Sequence, residues 1–109
     1  MLTACQHPCS HLTYATWWPR TLSRIPVAGG EVEILVPGFT FESLAIDHKA
    51  ETLYLAEEDE PRNIVRTDLA GEHGAVIVPK AGYCPALAFD ATHEKLYRSQ
   101  MHPTRGTYL

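Results

Sequence analysis

The chain has 109 residues, 45% hydrophobic and 20% charged, with 9 Lys and Arg against 13 Asp and Glu for a formal net charge of −4. That length suits one ordinary domain and is too short for two, and the composition is that of a folded chain rather than a disordered one. The acidic balance excludes the basic surplus that nucleic-acid phosphates and anionic membranes require.

The N-terminal stretch Met1–Pro8 has neither the basic start nor the apolar core of a signal peptide. No segment approaches the roughly 18 to 20 apolar residues of a membrane-spanning helix, so membrane insertion is not expected. Cys5, Cys9 and Cys84 are odd in number and irregular in spacing, which gives no disulfide framework and favours reduced thiols and the cytoplasm. The 8 Pro and 7 Gly are spread along the chain, predicting many turns between short strands and hence an all-β protein.

Taken in chain order, Cys5, His7, Cys9 and His11 alternate and invite a zinc reading. On one extended strand, at about 3.3 Å per residue, the outer pair would stand about 20 Å apart, too far for a single tetrahedral ion. Trp17 and Trp18, before Pro19, are the nominated partner-binding surface, since paired aromatics anchor many interfaces. The competing reading packs them between sheets or at a sheet edge.

From here the chain repeats itself. Arg24–Val36 matches Arg66–Val78 at a spacing of 42 residues, with the Arg, the Ala-Gly pair and the closing apolar triplet in register. Leu44–Tyr54 matches Leu87–Tyr97 at a spacing of 43, sharing Leu-Ala, Asp, Glu and Leu-Tyr. Ala4, His7 and Leu12 superpose on Ala45, His48 and Leu53 at a spacing of 41, and Pro19, Pro61 and Pro103 recur at a spacing of 42. A period of this size marks a repeat architecture. The copies run over about 2–41, 42–84 and 85–109, the third stopping where the others enter their third strand.

Within the second copy, short apolar runs separated by turn signals predict strands near 43–47, 52–57, 63–69 and 74–78. The turns fall at 48–51, 58–62 and 70–73, with Gly71 supplying the positive φ of a tight hairpin. Four antiparallel strands in about 42 residues make one propeller blade, both of whose faces are covered by neighbours. Continuous apolar runs such as Leu53–Ala56 follow from that double burial. The predicted architecture is an open, incomplete arc of about two and a half four-stranded antiparallel blades across residues 1–109.

Leu44-Ala45-Ile46-Asp47, Leu53-Tyr54-Leu55-Ala56-Glu57 and Asn63 through Gly71 resemble the Tyr-Trp-Thr-Asp (low-density lipoprotein receptor class B) repeat. In that repeat Leu-Ala-Val-Asp leads to Leu-Tyr-Trp-Thr-Asp and then Ile-x-Arg-x-x-Leu-x-Gly. The resemblance implies a six-bladed propeller of the TolB-like kind. It assigns repeat-structural roles to Asp47, Leu53, Tyr54, Arg66, Gly71, Asp90, Leu96 and Tyr97. The family's Trp-Thr-Asp is Leu55-Ala56-Glu57 here, Arg98-Ser99-Gln100 in the third copy and Tyr14-Ala15-Thr16 in the first, so only Glu57 retains the acidic group that ties adjacent blades. Receptor repeats of this family lie outside the cell, against the cytoplasmic reading of the N-terminus and cysteines.

Two further clusters carry chemistry on paper. Glu57 to Glu60 could hold calcium, but no Gly or Asn wraps the run around an ion, which favours a solvated loop. Asp47 and Asp90 recur at the end of the first strand, so turn capping outweighs an acid/base pairing. No catalytic residue, cofactor or metal is therefore assigned. The expected function is non-catalytic binding or scaffolding, in a piece of a longer propeller. Its partners would be the remaining blades, a second copy of the chain, or another protein. The alternative is a fragment of a propeller enzyme of the gluconolactonase or regucalcin type. That resemblance implies a divalent ion held by carboxylates and an Asn, and Asn63 is the sole Asn, with Thr21 in its place in the first copy.

Overall fold

The computed structural model describes residues 2–6, 11–17, 20–38, 40–102 and 106–108; for 2–6, 17, 100–102 and 106–108 only the backbone is considered. No helix occurs among the described residues. The first sheet has the order β1 (Leu2–Gln6), β2 (His11–Trp17), β3 (Arg20–Pro26) and β4 (Glu33–Pro37), all antiparallel. The second repeats that order with β5 (Phe41–Asp47), β6 (Thr52–Glu57), β7 (Ile64–Asp68) and β8 (Ala75–Val78).

The third copy forms two hairpins, β9 (Leu87–Asp90) with β10 (Lys95–Arg98) and β11 (Gln100–His102) with β12 (Gly106–Tyr108). The break falls at Ser99, whose amide donates to the Ala86 carbonyl while its hydroxyl accepts from the Ala86 amide at 3.0 Å. β12 occupies the place of a third strand.

β5 starts two residues earlier than its sequence pattern predicts. Phe41 pairs with Glu57 and Ser43 with Ala56, leaving Glu42 as the extra residue of a bulge. A bulge turns its side chain out of the regular alternation, and that sets up the contacts of Glu42 described below.

The first strands of the three copies adjoin in turn, β1 with β5 and β5 with β9, so the sheets fan out from a common edge. Cross-strand partners share a face, and faces alternate along each strand. In the second sheet Leu44, Ile46, Leu53 and Leu55 lie on one face and cluster with Ala15 and Leu22 of the first sheet. Ala56 and Ile64, on the opposite face, cluster with Ala81 and Cys84, against which Leu87 and Leu96 of the third copy pack. Tyr54 stacks on Phe89 across the same boundary, with ring centroids 5.6 Å apart. The middle sheet is thus covered on both sides.

Candidate functional site

The first hairpins of the second and third copies are each built around an aspartate. Asp47 Oδ1 accepts the Ala50 amide at 3.2 Å. Asp90 Oδ1 accepts the Thr92 and His93 amides at 3.0 and 3.3 Å, and its Oδ2 lies 2.8 Å from His93 Nδ1. That ring contact, together with the two amides, holds the Asp90 carboxyl below the ordinary carboxylate range. Both hairpins close through a glutamate in the left-handed region, Glu51 at φ 53° and Glu94 at φ 51°. An acid/base pair of Asp47 with Asp90 does not form as such: Asp47 shares a shallow hollow with Lys49, Phe89 and Glu94, while Asp90 turns back into its own loop.

Asp68 plays the same part at the β7–β8 turn. Its Oδ1 accepts the Ala70 and Glu72 amides at 3.0 and 2.9 Å, and its Oδ2 lies 2.8 Å from His73 Nδ1. The His73 contact lowers the Asp68 carboxyl, and the same bond raises the imidazole above its ordinary value. Asp68, Glu72 and His73 bring ligand atoms within 4.8 Å of one another, so the three could chelate a divalent ion at the surface. An ion there would have to displace His73 from Asp68.

The acidic run after β6 is engaged with cations. Asp59 pairs with Arg20 of the first sheet, and Glu60 with Arg62 at 3.3 Å. Arg20 also donates from Nε to Thr40 Oγ1 at 2.6 Å, so one guanidinium bridges the segment entering β5 and the loop after β6.

The expectation that Glu57 ties adjacent blades is corrected by the structure: its Oε1 accepts the Asn63 amide at 3.0 Å, closing the turn of its own sheet. Glu42 instead ties β5 to the segment that leads into the third copy. Its buried carboxylate accepts from Arg62 Nη1 at 2.6 Å and from the Cys84 amide at 2.8 Å, and Ser43 Oγ beside it donates to the Cys84 carbonyl at 3.0 Å. Arg62 in turn lies over the Tyr83 ring. Sequence reasoning missed Glu42 because a carboxylate ahead of an apolar strand reads as a solvated flank; a bulge has no composition signature. Asn63 is occupied structurally as well, its Oδ1 accepting the Lys80 amide at 2.9 Å.

Trp18 lies outside the described residues, and of Trp17 only its place at the end of β2 is described. His7 and Cys9 also lie outside them, and Cys5 is placed only as backbone in β1, so the alternating Cys/His reading falls outside the described side chains. Cys84 is buried beside Glu42 and Ser43, and burial pushes its thiol up. Arg66 stands on β7 opposite Tyr54 and lines a surface hollow with Thr67, Asp68 and His73. Gly71, at φ 79°, carries the β7–β8 hairpin against Leu22, Leu35 and Val36 of the first sheet.

Antiparallel four-stranded sheets that fan from a common edge and cover one another face to face define the β-propeller class. In keeping with the Tyr-Trp-Thr-Asp resemblance at the level of architecture, the chain is all-β and forms a partial, open set of blades. It is similar to a chain in the crystal structure of a nidogen/laminin complex, with a TM-score of 0.84 at 15% identity, over 94% of this chain and 40% of that one. At that identity the likeness is one of fold, and this chain spans 40% of the solved relative's length. No family model and no curated protein matches the sequence.

Proposed function

We propose that the chain is a non-catalytic binding or scaffolding segment of a larger β-propeller, with blade copies at about 2–41, 42–84 and 85–109. One observation carries this reading: the carboxylates and amide that sequence or chemistry would nominate for a site are engaged in the frame. Asp47, Asp68 and Asp90 bond the amides of their own turns, Asn63 bonds the Lys80 amide, and Glu42 bonds Arg62 and the Cys84 amide. The similar solved chain comes from a complex of nidogen with laminin, which supports a protein as the class of ligand. Trp17, the last residue of β2, and Trp18, next to it in sequence, are the proposed contact.

Calorimetric titration with calcium and with zinc, beside an assay of lactone hydrolysis, tests the reading against the propeller-enzyme alternative. The expected outcome is no tight one-to-one metal binding and no metal-dependent turnover; finding both would replace the scaffold by an enzyme. Alanine at Trp17 and Trp18 should weaken capture of any protein partner recovered by cross-linking, and unchanged capture removes the tryptophans as the contact.

A further inference from the structure

A groove of about 260 Å³ runs between the first and second sheets, walled by Val36 of β4 on one side and by Phe41, Leu55 and Val65 of the second sheet on the other. By register Glu57 lies toward one end of it, beyond Leu55, and Gly74 toward the other, beyond Thr67. Both walls belong to blades of this chain, so a further blade on either side leaves the groove as it is.

The next boundary shows what stands in this position one blade on. Arg98 is the repeat equivalent of Leu55, at a spacing of 43. It lies opposite Leu87 and in line with Leu96, on the face of the third copy that packs against the second sheet. Its Nη1 donates to the Ala81 carbonyl at 3.1 Å, so a guanidinium reaches back from the third copy to the second. Gln100 is likewise the equivalent of Glu57. Where the third copy carries a cation and a neutral amide, the second carries an apolar side chain and a carboxylate. Glu57 Oε1 accepts the Asn63 amide, and its other oxygen has no partner among the described residues. The groove between the first two blades thus has an anion without the internal cation.

We propose that this groove receives an arginine side chain of a protein partner, in the part that Arg98 plays within the chain at the next boundary. The methylene stem lies along Val36 and Val65, and the guanidinium meets the Glu57 carboxylate beside the Phe41 ring. Arginine suits the place better than lysine, because its planar fork bonds a carboxylate with two N–H groups and stacks on an aromatic ring. The chain's net charge of −4 favours a basic partner at longer range. The inference rests on the binding reading above, but on these groove residues rather than on the tryptophans.

The test titrates the isotope-labelled 109-residue chain with N-acetyl-arginine methylamide at constant ionic strength and follows the backbone amides by NMR. Saturable shifts are expected at Val65, Thr67, Gly71 and Gly74. The lysine, citrulline and norleucine analogues should each bind about fivefold more weakly or worse. Glu57→Gln keeps an acceptor for the Asn63 amide and removes the charge, so it should weaken the arginine probe by about fivefold or more. Gly74→Leu should block the groove: a Cβ there meets Thr67 Cγ2 at 3.7 Å, an ordinary contact, and no positive φ opposes the side chain. The amide spectrum of each variant shows whether its sheets are kept, and the analogue series on the wild-type chain needs no variant at all.

No saturable shift at the groove overturns the proposal. Equal affinity for the norleucine analogue makes the groove an apolar seat and removes the charge match, and equal affinity for the lysine analogue removes the arginine fork. Metal-dependent turnover would sink the scaffold reading and leave these titrations as they are.

Discussion

Asp68 shows how much a single side chain does in a short hairpin. Its carboxylate replaces backbone partners for the Ala70 and Glu72 amides and holds His73, so the turn closes without a two-glycine loop. The bond lowers the Asp68 carboxyl from its ordinary 3.8 and raises His73 from its ordinary 6.5. A lowered acid contributes stability above its unfolded value and loses it as pH falls through the folded one. A raised histidine contributes fully below 6.5 and loses its share as pH rises through its folded value. The β7–β8 turn is therefore held best between about pH 4 and 6.5. His73→Ala should flatten the part of the fall in Tm that follows as pH rises from 6 to 8, read by thermal melts in a pH series against wild type. Because the pair is exposed, the change is a small one; an identical pH profile in the variant shows that the contact is not formed in solution.

At the scale of elements, the hairpins are where local and tertiary demands meet. Gly71 satisfies both: φ 79° favours glycine, and a Cβ there would lie 2.8 Å from Val36 Cγ2 and 3.4 Å from Leu35 Cβ. Gly82 has a similar φ of 81° with nothing within 4 Å of its missing side chain. Alanine at Gly82 should cost only the left-handed penalty, about 1 kcal/mol. Gly71→Ala adds a clash between blades and should cost about 2 to 3 kcal/mol. Urea denaturation of the two variants measures the gap, and equal losses would mean that the hairpin moves off the first blade freely. The bulge at Glu42 is the strand counterpart of this device. It spoils one rung of the β5–β6 ladder and aims a carboxylate at Arg62 and the Cys84 amide, 42 residues further on. That buried, hydrogen-bonded charge fixes how the second blade meets the segment leading to the third.

For the whole molecule, stability resides between the blades more than within them. Both apolar clusters lie across blade boundaries, so each blade depends on its neighbours, as in other repeat proteins. The same repeat position should then carry different weight in different blades. Leu53→Ala, in the covered second blade, should destabilise by about 2 to 5 kcal/mol. Leu12→Ala, at the equivalent exposed place, should change stability by less than about 0.5 kcal/mol at concentrations too low for association. Chemical denaturation of both variants decides this, and similar losses would mean that the first blade's outer face is covered in solution.

The strand period, the turn residues and the 42-residue interval are local or periodic properties, so the sequence alone determined that the chain is all-β, where the strands of the second copy run, and that the copies are alike. Asp47 and Asp90 were legible as turn residues for the same reason, a carboxylate followed within three residues by the amide it accepts. Only the tertiary structure decided which equivalents are buried, since Leu12 and Leu53 read identically and differ by a neighbouring sheet. It also brought Glu42 into play where the sequence pointed to Glu57, because the partners of Glu42 lie 20 and 42 residues away and meet it through a bulge. Arg20 finds Asp59 across 39 residues in the same way, when two blades stack. Burial and long-range pairing depend on what faces a strand, and a one-dimensional pattern records only the strand itself.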